Sequence, residues 1–247
     1  MRDLTSDGEP SRFFGESFPS WVRNGKFTQL FCCAILWASL VLLHPGCGPA
    51  DPIAPLVASL KDKDPEVRHS AALTLGNMGP PAKKACPALA QALNDEDGEV
   101  RYAALKALAK IGPDDSSAVS ALATALNDSQ RDVRYFAAKS LAKMGSKAGA
   151  AVTALSAAMK DSDPEIRYYV AKSLSDLGAT AKDAVPVLIE ALKDSNPKVR
   201  YYSAKALGKI GAEAKTAVDA LNLASKDNDK EVSEAAAQAT RRIEHSN

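Results

Sequence analysis

Arginine recurs at a fixed interval of 33 residues along most of this chain, with no insertion or deletion between copies. A constant period of this length predicts a solenoid, because one unit is too small to bury an apolar face alone and must stack on its neighbours. Residues 50–247 comprise 198 residues, which is six such units. The repeated arginines and aspartates are Arg68, Arg101, Arg134, Arg167, Arg200, Asp62, Asp95, Asp128, Asp161, Asp194 and Asp227.

Each unit contains the pattern of two antiparallel helices. Residues 194–211, DSNPKVRYYSAKALGKIG, begin with an Asp-rich turn and continue as an apolar stripe with helical spacing. Gly211 follows the stripe as a C-cap, and residues 184–192 carry the apolar pattern of the other helix. We therefore predict an all-α solenoid of twelve helices in six pairs, without strands. The stripe comprises Val199, Ser203, Ala204, Leu207 and Ile210.

These repeats resemble the HEAT-like repeat family that also includes phycobilin lyases. The pattern DPxVRxxAAxALGxIG is matched closely in five units, and the resemblance covers about 80% of the chain. Ankyrin repeats share the period, but their TPLHxA signature is absent. The resemblance implies a binding scaffold whose second helices line the concave side. It leaves a bilin lyase or isomerase, or a chromophore-binding protein, as the alternative function.

The repeated polar columns have a structural interpretation. We expect the aspartates to be helix caps or turn residues, and the arginines to bridge to them as a ladder along the solenoid; a phosphate-binding row of arginines is the alternative. The sixth unit, 215–247, has Ser233 in place of arginine and Glu234 in place of tyrosine. Polar substitutions in a terminal unit are typical of a C-terminal cap.

Aromatic and basic residues recur on neighbouring columns of the second helices. A lysine four residues after a tyrosine shares its helix face. One interpretation is that each tyrosine packs on the lysine stem of its own helix. The other is an interaction groove for a protein or peptide with acidic segments; single-stranded nucleic acid ranks below it. This aromatic–basic strip comprises Tyr102, Lys106, Tyr135, Phe136, Lys139, Tyr168, Tyr169, Lys172, Tyr201, Tyr202 and Lys205.

The N-terminal region has the pattern of an export signal. Residues 27–43 contain no charged residue, follow Arg23 and Lys26, and precede a Pro-Gly-Cys-Gly segment. Gly46-Cys47 resembles a bacterial lipoprotein signal, which makes Cys47 a lipidation candidate within the leader 27–49. Cleavage after Ala50 and an uncleaved anchor are the alternatives. Residues 1–26 form a polar extension, and its length suggests that translation starts further along.

Composition and residue spacing argue against catalysis. Lys and Arg number 31 and Asp and Glu 30, so bulk charge does not predict nucleic-acid binding. None of the three histidines has a partner at metal-ligand spacing, and no phosphate loop or nucleophile elbow occurs. Cys86 occupies a column of valines and is expected to be buried. We predict a monomeric, non-enzymatic protein without metal or cofactor, in the bacterial envelope or secreted. We expect it to contact a membrane only through its N-terminal leader or a lipid.

Overall fold

A computed structural model of the chain describes residues 51–112 and 116–245. Within these ranges the chain forms twelve α-helices in six pairs, with no strand, which confirms the predicted all-α solenoid. The first helices of the pairs are Ile53–Ser59 (α1), Cys86–Ala92 (α3), Ser116–Ala125 (α5), Val152–Ala158 (α7), Val185–Ala191 (α9) and Val218–Ala224 (α11). The second helices are Pro65–Met78 (α2), Gly98–Ile111 (α4), Arg131–Met144 (α6), Pro164–Leu177 (α8), Pro197–Ile210 (α10) and Lys230–Glu244 (α12).

The second helices begin and end at residues suited to those positions. Asp64 caps α2 by accepting a hydrogen bond from the backbone N–H of Glu66, and Pro65 follows at the first helical position, where its missing N–H costs nothing. Gly211 ends α10 with a φ of 74°, a conformation that favours glycine. Gly112 ends α4 with a φ of −143° instead.

Short 3₁₀ helices precede four of the first helices, a feature that the sequence pattern did not predict. Each carries two buried alanines three residues apart, such as Ala181 and Ala184. A 3₁₀ helix has three residues per turn, so this spacing places both alanines on one face. Their small side chains let the segment lie directly against the core. The four segments are Pro80–Ala85, Gly145–Ala151, Gly178–Ala184 and Gly211–Ala217.

The core lies between the two layers of helices and is built from small and branched aliphatic side chains. Leu141, Leu174 and Leu207 are fully buried at equivalent positions of successive units. The second helices pack closely on their neighbours, whereas the first helices contact one another much less. Closer packing of this kind is expected of the inner, concave layer of a curved solenoid, which is where the family resemblance places the second helices.

The N-terminal predictions lie outside the described residues. They concern the extension 1–26, the leader 27–49 and Cys47. In the part of the chain that the structure describes, no helix combines the length and the apolar character that a membrane span requires.

Candidate functional site

The structure brings the aromatic–basic strip together on the inner layer of helices. All eleven of its residues lie on α4, α6, α8 and α10, and all are half-buried. A column of tyrosines and a column of lysines, each at equivalent positions of successive units, extend from helix to helix. The strip therefore runs along the solenoid rather than along any single helix.

Five tyrosine rings form a continuous line across the central helices. Between helices, the ring centroids of Tyr135 and Tyr169 lie 5.5 Å apart, as do those of Tyr168 and Tyr202. Within helices, Tyr168 and Tyr169 lie 4.8 Å apart, and Tyr201 and Tyr202 lie 5.0 Å apart. These edge-to-face and tilted geometries are favourable for aromatic pairs. Each ring in the line is therefore held by at least one neighbouring ring.

A separate pair, Tyr102 and Phe136, has the same geometry at the N-terminal end of the strip, with centroids 5.5 Å apart. The contact between a tyrosine and the aromatic residue 34 positions later was missed by our sequence analysis. The signal was present, because an aromatic residue occupies the second column only in units that follow a tyrosine of the first column. Neighbouring helices are offset such that these two columns meet.

Basic side chains lie over the ring faces. Lys139 Nζ is 5.3 Å from the centroid of Tyr135 and 5.8 Å from that of Tyr169. Lys205 Nζ is 5.5 Å from the centroids of both Tyr201 and Tyr202. The packing of a lysine on the tyrosine of its own helix is therefore present, together with contacts between helices that neither interpretation included. Such cation–π contacts hold the ammonium group close to the ring while part of it stays hydrated.

Two further cations belong to the strip and were not predicted from the sequence. Lys198 Nζ lies 5.5 Å from the centroid of Tyr168, on the preceding helix. The Arg131 guanidinium lies 5.3 Å from the centroid of Tyr135 and also pairs with Asp163. Both residues stand at the start of a second helix, where the equivalent positions in other units are mostly proline or acidic, so the columns offered no signal.

Lys172 differs from the other strip lysines because it is already paired with a carboxylate. Its Nζ lies 2.9 Å from Asp176 Oδ2, and Lys209 Nζ lies 3.5 Å from the other oxygen of Asp176. The hydrogen bond to Asp176 raises the pKa of Lys172. In the described part of the chain, Lys106, Lys139 and Lys205 have no carboxylate partner. These three ammonium groups of the predicted strip are therefore available to an acidic ligand.

Two tyrosine hydroxyls of the strip, those of Tyr169 and Tyr202, have a raised pKa and stay protonated at neutral pH. A hydrogen bond with Tyr135, followed by burial, raises the pKa of Tyr169 to about 12. Burial also raises the pKa of Tyr202. A neutral hydroxyl can both donate and accept a hydrogen bond, so the ring line presents polar groups as well as apolar surface.

The repeated arginines and aspartates form a second, separate set of contacts in the turns. Arg101 donates from Nε and Nη2 to the two carboxylate oxygens of Asp128 in the next unit, at 2.7 and 2.9 Å. Its Nη1 donates to the backbone carbonyl of Asp95 in its own unit, at 2.8 Å. The Arg–Asp ladder is this contact repeated from Arg68–Asp95 to Arg200–Asp227. Because each guanidinium is occupied in this way, the ladder is not a row of phosphate-binding arginines.

The repeated aspartates are turn residues and not N-caps. Asp128 accepts the backbone N–H of Gln130, two residues later, at 2.8 Å, and Gln130 is the N-terminal flanking residue of α6. The same carboxylate receives Arg101 from the preceding unit. One side chain thus fixes its own turn and the junction between two units.

No group of His, Cys, Asp or Glu residues in ranges 51–112 and 116–245 is arranged to hold a metal ion. Cys86 is buried at the start of α3, as the valine column implied.

Comparison with known proteins gives the same architecture. The family model of HEAT repeats matches residues 38–109, 53–133, 86–155, 119–183 and 152–241. The chain belongs to the HEAT-repeat family. No curated protein matches the sequence of this HEAT-repeat protein.

Three solved structures show the same fold. An engineered protein is 25% identical with a TM-score of 0.59, covering 78% of this chain and 97% of its own. A designed armadillo repeat protein in complex with the peptide (KR)4 is 18% identical with a TM-score of 0.58, covering 78% and 99%. The complex of CpcE and CpcF of phycocyanin lyase from Nostoc sp. PCC7120 is 24% identical with a TM-score of 0.50, covering 82% and 80%.

Proposed function

We propose that this HEAT-repeat protein is an exported, non-catalytic scaffold that binds an acidic or polar peptide, or a protein segment of that kind, along its aromatic–basic strip. The observation that carries the proposal is the continuous line of five tyrosine rings with ammonium groups held against it. The proposal concerns a monomer whose partner is a polypeptide and not a nucleic acid or a small molecule.

The ring line is suited to binding because its side chains are already ordered. Tyr168 and Tyr169 contact each other and also rings on the neighbouring helices. A ligand that lies on these rings therefore loses little affinity to side-chain ordering, which otherwise opposes association. Half-buried tyrosines also supply large contact areas, and aromatic residues are enriched at binding interfaces for this reason.

The charge of the strip selects the sign of the ligand. Lys106, Lys139 and Lys205 have no carboxylate partner among the described residues, although the whole chain is nearly neutral. A local excess of positive charge steers acidic segments and suppresses basic ones. The chemistry predicts a polypeptide whose carboxylates alternate with groups that can lie on the rings.

The test uses two synthetic decapeptides, (Glu-Ala)5 and (Lys-Ala)5, with binding measured by fluorescence anisotropy at several salt concentrations. We expect the acidic peptide to bind at least about tenfold more tightly, because like charges oppose the basic one. Replacing Tyr135 and Tyr168 together by alanine should cost about 2 kcal/mol or more of binding free energy, as for aromatic anchors at an interface centre. The double variant must keep the helicity of the wild type, because both rings also contact neighbouring rings and their loss could otherwise act through folding.

Charge is tested with a matched pair of double variants. Lys139→Gln with Lys205→Gln should weaken the acidic peptide and reduce the salt dependence of its association. Lys160→Gln with Lys193→Gln removes the same charge from exposed turns and should leave affinity unchanged. Equal effects of the two double variants would contradict binding on the strip. Bilin-dependent absorbance on mixing the protein with a tetrapyrrole would favour the chromophore alternative.

Export and anchoring are supported by the leader pattern at residues 27–43 and by Cys47. Both tryptophans, Trp21 and Trp37, precede Cys47. We expect protein purified from the native envelope to show only tyrosine-type emission and a mass that includes an acylated Cys47. Tryptophan emission from that protein would instead indicate a retained anchor.

A further inference from the structure

The aromatic–basic strip changes character at its C-terminal end. On α12, Glu234 occupies the column that holds Tyr201 on α10, and Gln238 occupies the column that holds Lys205. One turn earlier, Glu231 corresponds to Lys198. The last two second helices therefore carry opposite charges at one pair of equivalent positions, Lys198 and Glu231, and α12 has a carboxylate where α10 has a tyrosine.

These helices form the walls of an open groove of about 820 Å³. Lys198 and Lys205 line one wall together with tyrosines. Glu231 and Glu234 line the other, together with Asp229 at the start of α12 and Arg242 in its last turn. The groove floor is formed where the helices approach most closely: a Cβ on Gly208 would lie 2.8 Å from the Cα of Ala239. The closely packed floor and the long side chains of the walls make this groove an open trough.

The opposite charges do not neutralise each other across the groove. Among the described residues, Lys198 and Lys205 form no ion pair with Glu231 or Glu234. The lysines lie on tyrosine rings instead. Within ranges 51–112 and 116–245, the ion-pair partner of Glu234 is Lys230 of its own helix, at 3.7 Å, and both side chains are largely exposed, so this contact is weak. Both walls therefore keep their charge for a ligand.

We infer that this terminal groove recognises a basic residue at one end of an extended ligand whose remaining length is acidic and lies on the strip. The inference rests on the proposed function and adds direction to it. An acidic segment meets the lysines from α4 to α10 and is repelled by Glu231 and Glu234, whereas a lysine or arginine at its end is attracted there. Repulsion of the wrong charge fixes the register as much as attraction of the right one.

The occupant follows from charge complementarity. A uniformly acidic ligand would leave Glu231 and Glu234 facing like charge, and a uniformly basic ligand would face Lys198 and Lys205. Only a segment with both signs in sequence satisfies the two walls and the strip together. An arginine is the best fit, because its planar guanidinium can bond a carboxylate through two donors.

The test compares three peptides of identical composition, each with five Glu-Ala pairs and two arginines. The arginines stand at the amino end, in the middle or at the carboxyl end, and all termini are acetylated or amidated. We expect one end-substituted peptide to bind about fivefold more tightly than the peptide with central arginines, near the upper limit for exposed ion pairs. Glu231→Gln with Glu234→Gln should abolish that preference without weakening the peptide with central arginines.

The matched control is Glu66→Gln with Glu99→Gln, which removes two exposed carboxylates from the column of Glu231 at the other end of the solenoid. This variant should keep the preference. Equal affinity of the three peptides, or equal loss in both double variants, would overturn the inference while leaving binding on the strip intact. Absence of binding by (Glu-Ala)5 itself would overturn both the inference and the proposed function.

Discussion

At the scale of single residues, three buried hydroxyls stand out. The Oγ atoms of Ser173, Ser175 and Ser203 are buried without a hydrogen-bond partner in the described part of the chain. A buried polar group without a partner loses its hydration and receives nothing in exchange. The column of Ser203 contains Ala137 on α6 and Ala236 on α12, both fully buried. The serine therefore occupies a site that the fold builds for a small apolar side chain.

We expect Ser203→Ala to stabilise the protein by about 1 kcal/mol, because it removes an unsatisfied buried hydroxyl and keeps nearly the same volume. The measurement is the midpoint of urea unfolding followed by circular dichroism. The reverse change, Ala137→Ser, at the equivalent position of α6, should lower the midpoint. A lower midpoint for Ser203→Ala would show that the hydroxyl makes a bond worth more than its burial.

At the scale of helices, side-chain size in one column sets how closely neighbours approach. Gly76 on α2 and Gly208 on α10 each lie so near the next second helix that a Cβ would come within 2.8 Å of backbone. Such a distance forces a backbone shift, so these two junctions require glycine. The same column holds Ala142 on α6, which is buried, so that junction leaves room for a Cβ. Helix spacing thus varies from unit to unit although the sequence period does not.

At the scale of the whole molecule, the Arg–Asp ladder joins each unit to the next through ionised groups. The hydrogen bond from the Arg68 guanidinium lowers the pKa of the Asp95 carboxyl by more than burial raises it. Arg200 has the same effect on the pKa of Asp227. Burial would raise the pKa of Asp194, but the hydrogen bond from Arg167 and the backbone N–H of Asn196 outweigh it and lower the pKa. Against the effect of burial, Arg101 likewise lowers the pKa of Asp128. These four carboxylates therefore respond to acid in the same direction.

The lowered pKa values predict loss of stability in acid. Above about pH 4, the ordinary pKa of aspartate, the four carboxylates with lowered pKa are ionised in both the folded and the unfolded chain, and their contribution is fully present. As pH falls further, the unfolded chain takes up protons before the folded chain does, so stability declines until the folded carboxylates are protonated. We expect the melting temperature to fall steeply between about pH 4 and pH 2.

A single variant distinguishes the contribution of the ladder to acid sensitivity from that of the other titrating groups. Arg167→Gln removes the group that lowers the pKa of Asp194, so its melting temperature should be lower at pH 7 and less dependent on pH below 4. Lys193→Gln removes one charge from an exposed turn and should follow the wild-type profile. Parallel profiles for Arg167→Gln and wild type would show that the ladder does not couple folding to protons.

The repeat architecture and the membership of the strip could be predicted from sequence for a common reason. A period of 33 without insertions leaves only stacking of identical units, and columns at helical spacing define a shared face. The helix pairs, the glycine ends of the second helices and the buried leucine columns follow from this periodicity. These are properties of one unit and its copies, and they do not depend on the distance between units.

The side-chain contacts between neighbouring units could be seen only in the tertiary structure. The ring contacts from Tyr135 to Tyr169, the pairing of Lys172 with Asp176 and the position of Lys198 over Tyr168 depend on the offset between neighbouring helices. That offset results from side-chain volumes at junctions such as Gly208–Ala239, and no periodic pattern contains it. The periodic pattern alone thus specifies the repeating unit and its faces. Which charges stay available to a ligand depends on the packing of one unit on the next. An ion pair requires its two groups to lie within a few ångströms, and the stacking of the helices sets that distance.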